Sequence, residues 1–112
     1  MAVIKTTTGY NLPEEMFEKY LGVLINQFFK ILPIRENGEP SLKKYIKSLQ
    51  IELIGNERLI SALNNDPMFL SLISTLQYML DNDCDVPTTK QEVFKAIDIC
   101  KKLQSKYIKE RE

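Results

Sequence analysis

Apolar residues in this chain recur at spacings of three and four, and no stretch alternates convincingly at a period of two. The pattern therefore predicts helices throughout. Over residues 12–32 the polar positions Glu15, Lys19, Gly22, Asn26 and Lys30 form one narrow stripe. Almost everything else is apolar: Met16, Phe17, Tyr20, Leu21, Val23, Leu24, Ile25, Phe28, Phe29, Ile31 and Leu32. An apolar arc that wide suits a central helix, or one covered partly by a second chain. Asn11 is placed to cap this helix, Pro13 suits its first turn, and Pro33 is expected to stop it.

Four further helical segments follow. Residues 41–54 carry Leu42, Tyr45, Ile46, Leu49 and Leu53 on one face, with Ser41 as cap and Gly55 as the stop. A short segment, 56–64, has Asn56 at its cap and Leu59, Ile60 and Leu63 inward. Asp66-Pro67 then restarts the chain into 67–80, with Phe69, Leu72, Ile73, Leu76, Met79 and Leu80 on its core face. The last helix, 89–108, opens on the capping box Thr89–Glu92 and turns Val93, Ala96, Ile97, Cys100, Leu103 and Tyr107 inward. Residues 1–10, with three consecutive threonines and Gly9, read as an extended arm. The expected architecture is all-α: one compact bundle of four to five helices behind that arm, with short connections that favour antiparallel neighbours.

Composition narrows the function more than it points to one. A chain of 112 residues with 44% apolar content suits a single domain with a genuine core. Lys plus Arg equals Asp plus Glu at 15 each, so no global field draws it to nucleic acid or membrane. There is no histidine, which removes the commonest general base and transition-metal ligand. No phosphate-binding loop, dinucleotide fingerprint, nucleophile elbow or zinc spacing occurs, and the expectation is a protein without enzymatic activity and without a cofactor. The two cysteines, Cys84 and Cys100, do not form a metal or disulfide pattern. No apolar run approaches the ~18 residues of a membrane span, and the opening residues lack a signal-peptide core, so a cytoplasmic location with no membrane contact is expected.

The link around residues 81–92 holds the one arrangement with metal-binding potential. Asp81, Asp83, Asp85 and Glu92 stand at positions 1, 3, 5 and 12 of a stretch that resembles the calcium loop of EF-hand proteins. The resemblance implies a hard-cation site on those four carboxylates. Val86 stands where that loop needs a sharp turn, and Thr88 replaces its usual apolar eighth residue. The competing reading is a polar interhelical link in which Glu92 serves the capping box. Cys84 sits among carboxylates that disfavour its thiolate, so it is not a tuned nucleophile.

Charge is segregated along the chain. No Lys or Arg lies between Arg58 and Lys90, whereas Lys95, Lys101, Lys102, Lys106 and Lys109 follow on the last helix. That face offers a surface for phosphate backbones, but interleaved acids and the absence of stacking aromatics favour an ordinary solvated face.

Apolar residues exceed what one stripe per helix requires. Phe17, Ile25, Ile51, Ile54, Leu70, Phe94, Ile99 and Ile108 fall off the narrowest core faces, and a surplus of this kind usually signals association. The segments 26–36 (NQFFKILPIRE) and 90–97 (KQEVFKAI) resemble small uncharacterised all-helical proteins of prophages and mobile elements in Gram-positive bacteria. The resemblance implies an accessory protein that acts by contact. The leading expectation is a helical interaction module, a homodimer or the binder of a foreign protein, with Phe17, Ile25, Phe94, Ile99, Asp81, Asp83 and Asp85 at its contact surface. A cation-responsive module and a nucleic-acid binder are the alternatives.

Overall fold

Proline 33 has no amide hydrogen, so a helix running through it leaves the Phe29 carbonyl without a partner and crowds it with the ring. The computed structural model, which describes residues 3–5, 11–38 and 40–110, shows the chain yielding at that point. Helix α1 (Glu14–Phe29) ends, Lys30 turns with its N–H on the Asn26 carbonyl at 3.1 Å, and α2 (Ile31–Glu36) resumes with Pro33 in its first turn. The single helix expected over 12–32 is therefore two, and helical structure passes Leu32.

Its start also differs. Strand β1 (Val3–Lys5) pairs antiparallel with β2 (Asn11–Pro13), Val3 opposite Pro13, so Asn11 belongs to a strand and Pro13 precedes the helix without a side-chain cap. The arm expected at 1–10 is extended where it is described, at Val3–Lys5; its other residues lie outside the described residues. Glu14 and Glu15 open α1, where negative charge suits the helix dipole.

Two more boundaries move. Helix α3 (Leu42–Leu59) runs straight through Gly55, because an interior glycine weakens a helix by about 1 kcal/mol without stopping it. Asn56, expected to cap a separate helix over 56–64, lies inside α3 and donates from Nδ2 to the Tyr20 hydroxyl at 2.7 Å. Only a 3-10 turn, Ser61–Leu63, follows. Helix α4 (Pro67–Asp81) begins as the sequence predicts: Asp66 Oδ1 accepts from the Met68 and Phe69 N–H groups at 2.9 and 3.1 Å, with Pro67 in the first turn. Helix α5 (Val86–Glu110) begins ahead of Thr89, because Asp85 captures the Thr88 N–H at 2.8 Å and caps first.

The elements form an all-α bundle measuring 45 × 26 × 20 Å, in which α1 packs on α5, α5 on α4, and α4 on α3, while α2 closes over the start of α5. Phe17, Leu21, Leu24 and Phe28 of α1 meet Val93, Ala96, Ile97, Cys100 and Leu103 of α5 in one continuous core. Ile46, Leu49 and Leu53 of α3 and Phe69, Leu72, Leu76 and Met79 of α4 complete it. A polar bridge from the buried Gln50 crosses the α3–α4 contact: its Nε2 donates to Oε1 of the exposed Gln77 at 2.8 Å while its Oε1 accepts from Lys47. Unpaired, such a buried amide costs about 1–3 kcal/mol. No helix among the described residues is long and apolar enough to cross a membrane.

Candidate functional site

The three surfaces that the sequence singles out meet along α5. Its N-terminal end carries the acidic link, its middle carries Phe94, and its second half carries the lysines. Each can be tested against the geometry.

The acidic link does not gather its carboxylates. Asp81 finishes α4 and accepts from Gln77 Nε2 at 2.8 Å. Asp85 caps α5; hydrogen bonds from the Thr88 side chain and backbone hold its carboxyl below the usual range. Glu92 lies within α5, 3.7 Å from Lys95 Nζ. Among the described residues no three Asp, Glu or Cys side chains are placed to share a metal ion. Each carboxylate is engaged locally instead: Asp81 by Gln77, Asp85 by Thr88 and Glu92 by Lys95. Thr89, expected to cap, is buried instead with its hydroxyl towards the Cys84 carbonyl.

Beside the link lies a small cleft. Arg35 of α2 donates from Nε to the Cys84 carbonyl at 2.7 Å and so fastens α2 across the α4–α5 connection. Ile34, Leu42, Ile46, Met79 and Thr89 line the cleft and Asp83 stands at its edge; its volume is about 200 Å³. That is below the 300 Å³ or so at which small-molecule sites begin. Its thiol is not primed either: burial, then Glu92 and Asp85, push the Cys84 pKa up against the smaller opposing pull of Arg35. Cys100 is buried in the core and pushed up to about 12.

The apolar surplus resolves into buried and exposed members. Phe17 is fully buried, which corrects its expected place on a contact surface, and Ile25 and Ile99 are half-buried against the core. Phe94 is 46% exposed. Its ring meets that of Phe29, itself 40% exposed, edge to face at 6.0 Å and 82° across the α1–α5 seam. Phe29 is the residue that sequence reasoning missed. The signal was present: Asn26 and Gly22 of the polar stripe lie one turn and two turns before it, so its side of α1 borders solvent. Met16 and Val23, also assigned to the buried arc, are exposed for the same reason.

Half of the lysines of α5 are engaged. Lys95 faces Glu92, Lys102 Nζ lies 3.1 Å from Asp98, and Lys106 Nζ lies 2.9 Å from the buried Asp66 carboxylate of α4. Lys101 is exposed, and the Lys109 side chain lies outside the described residues. Three of the six lysines of α5 thus face carboxylates of the same chain, which thins a phosphate-binding stripe. No protein-family model, no curated protein and no solved structure matches this chain.

Proposed function

We propose that this protein is a non-enzymatic helical interaction module that acts by stoichiometric contact through the exposed face of α5 around Phe94. The observation that carries the reading is the Phe29–Phe94 pair. Two aromatic rings are partly exposed to water on a bundle whose other phenylalanines 17, 28 and 69 are completely buried. Exposed aromatic anchors rimmed by charge are the usual core of a protein contact site. Lys90, Asp98 and Lys101 supply that rim, all exposed on the same helix. The small cleft, the unprimed thiol and the dispersed carboxylates give catalysis and cation binding no comparable support. The resemblance of 26–36 and 90–97 to prophage and mobile-element proteins fits an accessory role of this kind.

A photoreactive phenylalanine analogue at position 94 tests the reading in the cells that make the protein. Irradiation should yield discrete covalent adducts from position 94 and none from Ser48 on the exposed side of α3. If position 94 gives no adduct, the reading is overturned.

A further inference from the structure

Resting on the contact reading above, we infer that the partner of this face is a second copy of the chain, docked antiparallel through α5 about a two-fold axis at Phe94. The inference comes from the order of charges along one helix face. Pro87, Lys90, Gln91, Phe94, Asp98, Lys101 and Ser105 follow helical spacing down a single stripe, and every one of them is exposed. Ahead of the stripe stand Asp81, Asp83 and Asp85, also exposed. Read from the start, the centre of the face therefore runs Lys90, Phe94, Asp98.

That order is its own complement when reversed. Lys90 and Asp98 each lie four residues from Phe94, about 6 Å along the axis on opposite sides. A two-fold axis at Phe94 brings each residue level with the one equally far on the other side. Lys90 of either copy then meets Asp98 of the other, twice over. Lys101 comes level with the uncharged Pro87, so no like charges meet there. A two-fold interface requires self-complementarity of this sort, because the same patch is used on both sides. Parallel docking would set lysine on lysine, at a cost of several kcal/mol.

The centre and the rim also have the composition of an interface. Phe94 and its symmetry mate form an aromatic centre, flanked by the two Phe29 rings, with the charges outside it. Little has to be broken to form it. Lys90 and Lys101 hold no ion pair among the described residues. The Asp98–Lys102 pair has both side chains more than 60% exposed, so its loss costs little. Other exposed apolar residues lack the pattern: a two-fold axis at Ile51 of α3 would set Lys44 against Arg58.

Sedimentation velocity and light scattering on the purified chain, from micromolar to millimolar, test the arrangement. The wild type should reach twice 13.0 kDa, and added salt should weaken the association. Lys90→Glu alone and Asp98→Lys alone should each weaken it by at least about tenfold, since each sets like charges together at two places. An equimolar mixture of K90E and D98K chains should dimerise again, because each altered residue then meets its opposite. Thermal melts confirm that each variant is folded. A wild type that stays at 13.0 kDa, single variants that stay dimeric, or a mixture that stays monomeric would each overturn self-docking. Adducts at position 94 that contain only a foreign protein, with a monomeric purified chain, overturn self-docking and leave the contact reading standing. No adduct at position 94 overturns the contact reading itself.

Discussion

Lys106 and Asp66 are 40 residues apart in sequence and 2.9 Å apart in space, and their contact ties the second half of α5 to the first turn of α4. One carboxylate serves two elements, since Asp66 Oδ1 caps α4 while Oδ2 accepts from Lys106. Asp66→Ala removes both. The cap is worth about 1 kcal/mol and the pair up to about 1 more, discounted because the Lys106 side chain is 42% exposed. The variant should lose roughly 2 kcal/mol, which in a domain of this size lowers Tm by roughly 8 °C. Asp66→Asn keeps a competent cap and should lose less than half as much. Equal losses in urea titrations of the two variants would assign the whole effect to the ion pair.

Phe17 and Phe94 were indistinguishable surplus residues in the sequence and should separate cleanly by stability. Phe17→Ala empties a fully buried site and should cost about 3–5 kcal/mol. Phe94→Ala loses a half-exposed ring and one edge-to-face contact, and should cost about 1 kcal/mol. Denaturant melts at concentrations low enough to keep the chain monomeric make the comparison.

The two thiols should differ in reactivity and in their effect on alkaline stability. Under native conditions one thiol, Cys84, should react with an aromatic disulfide reagent, and its half-reaction pH should lie above that of free cysteine because its pKa is raised. Arg35→Met removes the one nearby cation that favours the thiolate, so the half-reaction pH should move further up. Cys100 should react only on unfolding. Its folded pKa of about 12 exceeds the ordinary 9.0, so its contribution to stability is complete below pH 9 and is lost as pH rises towards 12. Tyr20, raised by burial, acts in the same direction. Cys100→Ala should flatten part of the alkaline fall in Tm.

Two glycines should respond to alanine with opposite sign. Gly38 holds φ +64 in the turn after α2, where a Cβ is strained, so Gly38→Ala should cost about 1 kcal/mol. Gly55 lies inside α3 facing open space, so Gly55→Ala should add roughly 0.5–1 kcal/mol through helix propensity and a less flexible unfolded chain. Thermal melts of the two single variants give the signs directly.

Millimolar calcium or a chelator should leave Tm unchanged, because Asp81 and Asp85 are committed to Gln77 and Thr88 and no three acidic side chains among the described residues are placed to share an ion. A rise in Tm with calcium would show the link rearranging around the ion.

What the sequence by itself determined is what neighbouring residues within a turn or two decide. Helical periodicity placed Leu21, Leu24, Phe28, Leu72, Leu76, Val93 and Cys100 in the core, and all are buried. The start of α4 was readable because the cap bonds of Asp66 reach only amides two and three residues on. Where two local signals compete, the sequence could not rank them. Asp85 and Thr89 are both good caps, and packing of Thr89 against the Cys84 carbonyl goes with Asp85 taking the role. Pro33 was read as a stop, yet the chain resumed as α2 because Ile31 is buried and Arg35 is anchored on Cys84. Tertiary structure alone decided that Phe17 is core, since burial depends on how α1 is rotated against α5. It also paired Lys106 with Asp66, for no local spacing brings those residues together. The self-complementary charge order on α5 was written in the sequence throughout. Only the fold showed that the stripe carrying it faces out.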